Sequence, residues 1–173
     1  IYILASSLGT VCLSYLLAYC WGGAGAGFLA GVTMALVPME IVYGTVLLPD
    51  APLSFLALAS FACLVQAQEA SDDKKWSWVL AAGFLLGLAY TCKVTALFLV
   101  LPGVAQVYFL RRGIGLVAIF AAAIGFVIAA ENLVLWFVLD CWYVRIYETL
   151  GFVSGSKGNY IEVDKTWWWW FSQ

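Results

Sequence analysis

Long apolar runs separated by short polar breaks organise this chain, and they predict helices of membrane-crossing length. The first run extends from about Ile1 to Trp21. The stretch GGAGAG, Gly22 to Gly27, follows it and predicts a tight turn. A second run covers about Phe28 to Leu48 and contains Pro38. That proline predicts a kink, which a membrane tolerates where neighbouring groups satisfy the freed carbonyl. A third run covers about Ala51 to Gln68, with Pro52 suited to a first helical turn, where its missing N–H costs nothing. The stretch QEASDDKKWSW, Gln68 to Trp78, predicts a polar loop edged by tryptophan.

The next apolar stretch, Val79 to Leu110, is too long for one untilted crossing, because about 20 residues span the hydrocarbon. A single charge, Lys93, interrupts it near the middle. Two short helices meeting at Lys93, a helical hairpin with the lysine at its tip, account for both features. Arg111 and Arg112 close the hairpin, and a last apolar run covers about Gly113 to Leu139. Beyond Asp140 the chain turns polar and ends KTWWWWFSQ. The pattern predicts an all-α, polytopic integral membrane protein. It has about six transmembrane helices over residues 1–139. An outer-face polar and aromatic tail, as an extracytoplasmic loop or amphipathic segment, covers 140–173.

Composition agrees with the pattern. The 173 residues are 65% hydrophobic and 10% charged, where soluble domains are about 45–50% apolar and about 25% charged. A formal charge of −2 gives no argument for a nucleic-acid partner. The chain has no histidine, which removes the commonest metal ligand and the commonest general base. Cys12, Cys20, Cys63, Cys92 and Cys141 show no CxxC spacing, and most read as small hydrophobes within apolar runs. No cofactor is expected, with a divalent metal left open. Neither an initiator methionine nor a basic leader precedes the first run, and a fragment of a longer protein is the expectation.

Lys and Arg set an expected orientation. Lys74 and Lys75 lie in one short loop, Arg111 and Arg112 in another, and two loops separated by a hairpin share a side. The positive-inside rule makes that side the cytoplasm. Asp50, Lys93 and the segment after Leu139 then fall on the outer face.

Each unusual polar residue has a bland explanation beside a chemical one. Asp50, in VLLPDAPLSF, suits a helix N-terminus, where an acid is worth about 0.3–1 kcal/mol against the macrodipole. Lys93 at a span centre would cost about 2.5–3.5 kcal/mol on insertion scales. At a hairpin tip it snorkels cheaply, or it faces a lipid phosphate or pyrophosphate, for which an ammonium is a compact point charge. Glu40 lies ten positions before Asp50, about 15 Å deeper if the helix continues. It is either a cavity carboxylate or a partner for the backbone near Pro38. Glu131 and Asn132 face the same cavity or the interface. Asp140, Arg145 and Glu148 alternate with aromatics, Tyr143 among them, as on an amphipathic surface helix. Trp142, Tyr147 and Trp167 to Trp170 fit an aromatic belt. GAGAGF, Gly23 to Phe28, lacks the strand, spacing and downstream acid of a nucleotide site.

The stretches VLLPDAPLSFLALASFACL and WVLAAGFLLGLAYTCKVTALFLVLPG resemble the family-39-like membrane glycosyltransferases of the C superfold, which include protein O-mannosyltransferases and bacterial aminoarabinose transferases. The matching features are Pro49-Asp50, Gly87-Leu88-Ala89 followed by Lys93, and an Asp-x-x-Tyr-x-Arg element at Asp140, Tyr143 and Arg145. The resemblance covers about Phe28 to Gly158. It implies an inverting transfer of a sugar from a polyprenyl-phosphate donor to a lipid, glycan or protein acceptor at the outer face of a plasma membrane, among membrane lipids. It places Asp50 as an organising acid and Lys93 on the donor phosphate. The family's base sits in an outer loop before the second span, and this chain is expected to begin at that span, so no base is carried onto any residue here. Two other readings remain: a secondary transporter with broken helices, for which no internal repeat is found, and a non-catalytic membrane assembly subunit.

Overall fold

The structure, a computed structural model, describes residues 2–37, 49–111 and 114–138. Among these residues every regular element is a helix: α1 (Tyr2–Leu36), α2 (Asp50–Glu69), α3 (Asp72–Cys92), a 3-10 segment (Val94–Leu99), α4 (Val100–Arg111) and α5 (Ile114–Phe137). Of these, α1, α2 and α5 are long and apolar enough to cross a membrane. Trp21, Phe28, Leu101, Phe109, Phe126 and Phe137 all stand exposed on the bundle. Helices apolar all round belong in lipid or deep inside a larger assembly.

The predicted turn after Trp21 is made by one residue. Gly23 takes φ 74° and ψ −169°, a region essentially restricted to glycine, and helix continues on both sides of it. The second arm folds back on the first. A Cβ placed on Gly27 would lie 3.0 Å from the Tyr15 carbonyl oxygen and 3.1 Å from Tyr19 Cβ. The first arm packs on α2, where Gly9 accepts the Phe55 ring at a distance no larger side chain allows. Pro38 and its predicted kink lie outside the described residues.

Helix α2 begins where the sequence placed it, with Asp50 and Pro52 in its first turn. The loop expected from Gln68 to Trp78 is far shorter: only Ala70 and Ser71 separate α2 from α3. Helix resumes at Asp72 because Ser71 is extended and its carbonyl accepts from the N–H groups of Lys74 and Lys75. Asp72 and Asp73 sit in the first turn, where the macrodipole favours acids. Lys75 Nζ pairs with Asp72 Oδ1 at 2.9 Å. A polar stretch thus becomes a helix start rather than a loop.

The hairpin expected around Lys93 has unequal arms. Its first arm, α3, is a full 21 residues, so the expectation of two short helices is corrected. The return arm is the 3-10 segment followed by α4. It folds back far enough for Gly103 to approach the Phe120 ring and Leu86. Helix α5 runs parallel to α3: Gly83 lies against Phe120 and Ala123, and Gly87 against Val127. Leu64, Val79, Leu86, Val107 and Phe120 form the fully buried centre among α2, α3, α4 and α5. Small residues at these crossings let backbones approach, as membrane helix packing requires in the absence of a hydrophobic drive between helices.

Candidate functional site

The register of α2 against α3 decides which side chains meet at the bundle end. The two-residue link makes the pair antiparallel. Ser60 Oγ, buried, donates to the Ala82 carbonyl at 2.8 Å and fixes their relative height. From that bond Asp50 lies about ten residues toward the start of α2, and Lys93 about eleven beyond Ala82. At about 1.5 Å per residue both are displaced some 15 Å in one direction. Two charges far apart in sequence therefore arrive together, and Lys93 Nζ donates to Asp50 Oδ1 at 2.7 Å.

Each partner is also placed by its own helix. Asp50 occupies the first turn of α2, whose opening backbone bond runs from Leu53 N–H to the Pro49 carbonyl at 3.0 Å. Lys93 ends α3: its N–H donates to the Ala89 carbonyl at 3.1 Å, and its own carbonyl accepts from Ala96 N–H at 3.0 Å. Its backbone is extended, φ −158° and ψ 132°, between the α-helix and the 3-10 segment. The acid stands at a helix N-terminus and the cation at a C-terminus, so both dipoles favour the arrangement. The Asp50 side chain is 20% exposed and that of Lys93 45% exposed. An ammonium has three donors, so a half-exposed Lys93 keeps donor capacity beyond the Asp50 bond. Gly9 of α1 packs on the Phe55 ring, five residues past Asp50 in α2, which puts the early part of α1 near the same end.

Glu131 occupies a different setting. It is half-buried and lines an open groove of about 410 Å³ between α3 and α5, with Phe84, Leu88, Thr91, Phe126 and Val134 among its walls. The parallel packing of α3 and α5 sets Glu131 level with Thr91, near the Lys93 end of α3. The lining is almost entirely apolar. Asn132 Nδ2 donates to the Ile128 carbonyl of its own helix at 2.7 Å, so that side chain is engaged locally. Glu40, Asp140, Tyr143 and Arg145 lie outside the described residues, as do Arg112 and the expected outer tail.

Sequence reasoning missed Ser60 and Gly83, and it named Gly87 only within the Gly87-Leu88-Ala89 element, not as a helix contact. The two glycines were visible as a small-x-x-x-small spacing on one face of α3. Ser60 carried no signal that set it apart from other hydroxyls in apolar runs. Among the described residues no group of three or more His, Cys, Asp or Glu is arranged to hold a metal ion.

Comparison with known proteins bears on what this end of the bundle serves. The chain is 31% identical over 111 residues to "Putative mannosyltransferase YycA" of Bacillus subtilis (strain 168), an alignment covering 64% of this chain and 16% of that protein. The chain thus spans a small part of the length of the curated relative it matches. No solved structure matches it significantly. The family model described as dolichyl-phosphate-mannose-protein mannosyltransferase matches residues 1–142, most of the chain, and the chain belongs to that family of glycosyl-transferring membrane proteins.

Proposed function

We propose that this chain is part of an inverting glycosyltransferase that takes a sugar from a polyprenyl-phosphate donor. The acceptor is a lipid, glycan or protein at the outer face of a plasma membrane. In this reading the arms of α1, the helices α2 and α3, the return arm formed by the 3-10 segment with α4, and α5 each cross the bilayer, about six crossings in all. Lys93 binds the donor phosphate, and Asp50 holds the ammonium at the headgroup level. The sugar's departure leaves charge on the phosphate, and a fixed cation beside low-dielectric helices stabilises that charge. No residue of this chain is assigned the role of base.

The observation that carries the reading is the Asp50–Lys93 pair at one end of an apolar bundle, in a chain of a mannosyltransferase family. A snorkelling lysine in a transporter or a structural subunit would also be half-exposed, and it is membership of a mannosyltransferase family that favours the phosphate-binding reading. The test is transfer of radiolabelled sugar from a polyprenyl-phosphate donor by membranes containing the full-length protein. Lys93→Ala is expected to lower the rate by about 100-fold, the scale for loss of one electrostatic stabiliser. Asp50→Asn should lower it several-fold. Wild-type rates in both variants would overturn the site.

A further inference from the structure

The reaction proposed above changes the charge of the ligand that Lys93 holds. In the donor the lipid phosphate is a diester with one negative charge. Transfer forms a bond from the acceptor's hydroxyl oxygen to the anomeric carbon and breaks the bond from that carbon to the phosphate oxygen. The electron pair stays with the phosphate, and the acceptor's proton leaves to a base. What remains is a phosphate monoester, which carries about −1.5 to −2 at neutral pH. A lone lysine would hold that product more tightly than the donor and slow its exchange.

Lys93 is not alone. Its Nζ already bonds Asp50 Oδ1 at 2.7 Å. Charge-assisted N–H···O bonds run about 2.7–2.9 Å. A phosphate oxygen bonded to the same nitrogen therefore lies within about 6 Å of the carboxylate. At that range, shorter than the Debye length of about 8–10 Å, like charges still repel although solvent reaches the pair, and the repulsion grows with the charge on the phosphate. We infer that Asp50 discriminates between the two lipid phosphates, permitting Lys93 to hold the singly charged diester and weakening its hold on the more highly charged monoester. The inference rests on the reading of Lys93 as a phosphate-binding residue.

The backbone of Lys93 is held without help from Asp50. It is fixed by the bonds to Ala89 and Ala96 and flanked by the buried Val94 and Ala96. Asparagine at position 50 keeps an oxygen that accepts from Nζ. Removing the charge thus leaves the cation in place, and the electrostatic effect is isolated.

The experiment measures binding of farnesyl phosphate, its methyl diester and uncharged farnesol to the full-length protein in nanodiscs. In Asp50→Asn, farnesyl phosphate is expected to bind about three- to tenfold tighter, with a smaller gain for the diester, so the monoester-to-diester affinity ratio rises. Asp50→Glu, which keeps the charge, is expected to restore the wild-type ratio. If Lys93→Gln weakens farnesyl phosphate relative to farnesol but Asp50→Asn leaves the ratio unchanged, the discrimination is overturned and the phosphate-binding role stands. If Lys93→Gln has no effect on either phosphate, the role of Lys93 falls, and the inference falls with it.

Discussion

Lys93 and Asp50 separate two kinds of worth that one contact can have. The pair is partly exposed, with the lysine 45% and the aspartate 20% accessible, and pairs of that kind contribute about 0–1 kcal/mol to stability. Lys93→Met is therefore expected to change thermal unfolding of the purified full-length protein by less than about 1 kcal/mol, while transfer falls steeply. A large loss of stability instead would make the pair a structural clamp. Both residues were legible in the sequence because a charge flanked by apolar runs needs a reason. Ser60 was not, although it sets the register that brings them together. Ser6 Oγ and Thr10 Oγ1 donate to carbonyls four residues back in their own helix, whereas Ser60 donates across to Ala82. One hydroxyl among apolar neighbours looks the same in both cases until the partner helix is in place. Ser60→Ala is expected to cost about 0.6–1.7 kcal/mol, the range for hydrogen bonds between membrane helices, measured by unfolding in detergent.

Glycines decide how the helices meet, and the sequence showed which ones only in part. The run GGAGAG announced a turn, yet a single residue performs it: Gly23 has the positive φ, while a Cβ on Gly25 would meet nothing within 4 Å. Gly23→Ala is expected to cost about 1–3 kcal/mol through backbone strain, and Gly25→Ala to be neutral or slightly favourable, compared by thermal unfolding of the two variants. At the α3–α5 crossing the obstacle is space. A Cβ on Gly83 would lie 2.6 Å from the Phe120 carbonyl oxygen, and one on Gly87 2.8 Å from Val127 Cβ. Gly83→Val should force the helices apart and lose about 1–3 kcal/mol, the scale of overpacking; wild-type unfolding in that variant would mean that α5 does not pack there. The extent of α2 and α5 was legible from run length. The start of α3 was not, because Asp72, Asp73, Lys74 and Lys75 have the composition of a loop, and only the short link to α2 turns them into a first helical turn.

At the scale of the molecule, an outer-face donor site requires that the paired end face the exterior. Helix α3 carries Lys74 and Lys75 in its first turns and is followed directly by Lys93. Its 21 residues measure about 31 Å at 1.5 Å per residue, close to the hydrocarbon thickness of about 30 Å. If α3 crosses the bilayer, those two lysine positions lie on opposite sides. The bundle fixes Asp50 and Lys93 at one end, and only the basic loops assign that end to the exterior. Single cysteines at Asp50→Cys, Lys93→Cys and Lys74→Cys, in full-length protein whose native cysteines are replaced by serine, test the assignment in intact cells with an impermeant maleimide. The first two are expected to label from outside, and Lys74→Cys only after the membrane is opened. Should positions 50 and 93 both label only after opening, the pair would survive as geometry while the outer-face donor site would not. Should they label from different sides, the antiparallel register of α2 and α3 would itself be wrong, since a 2.7 Å contact cannot straddle a bilayer.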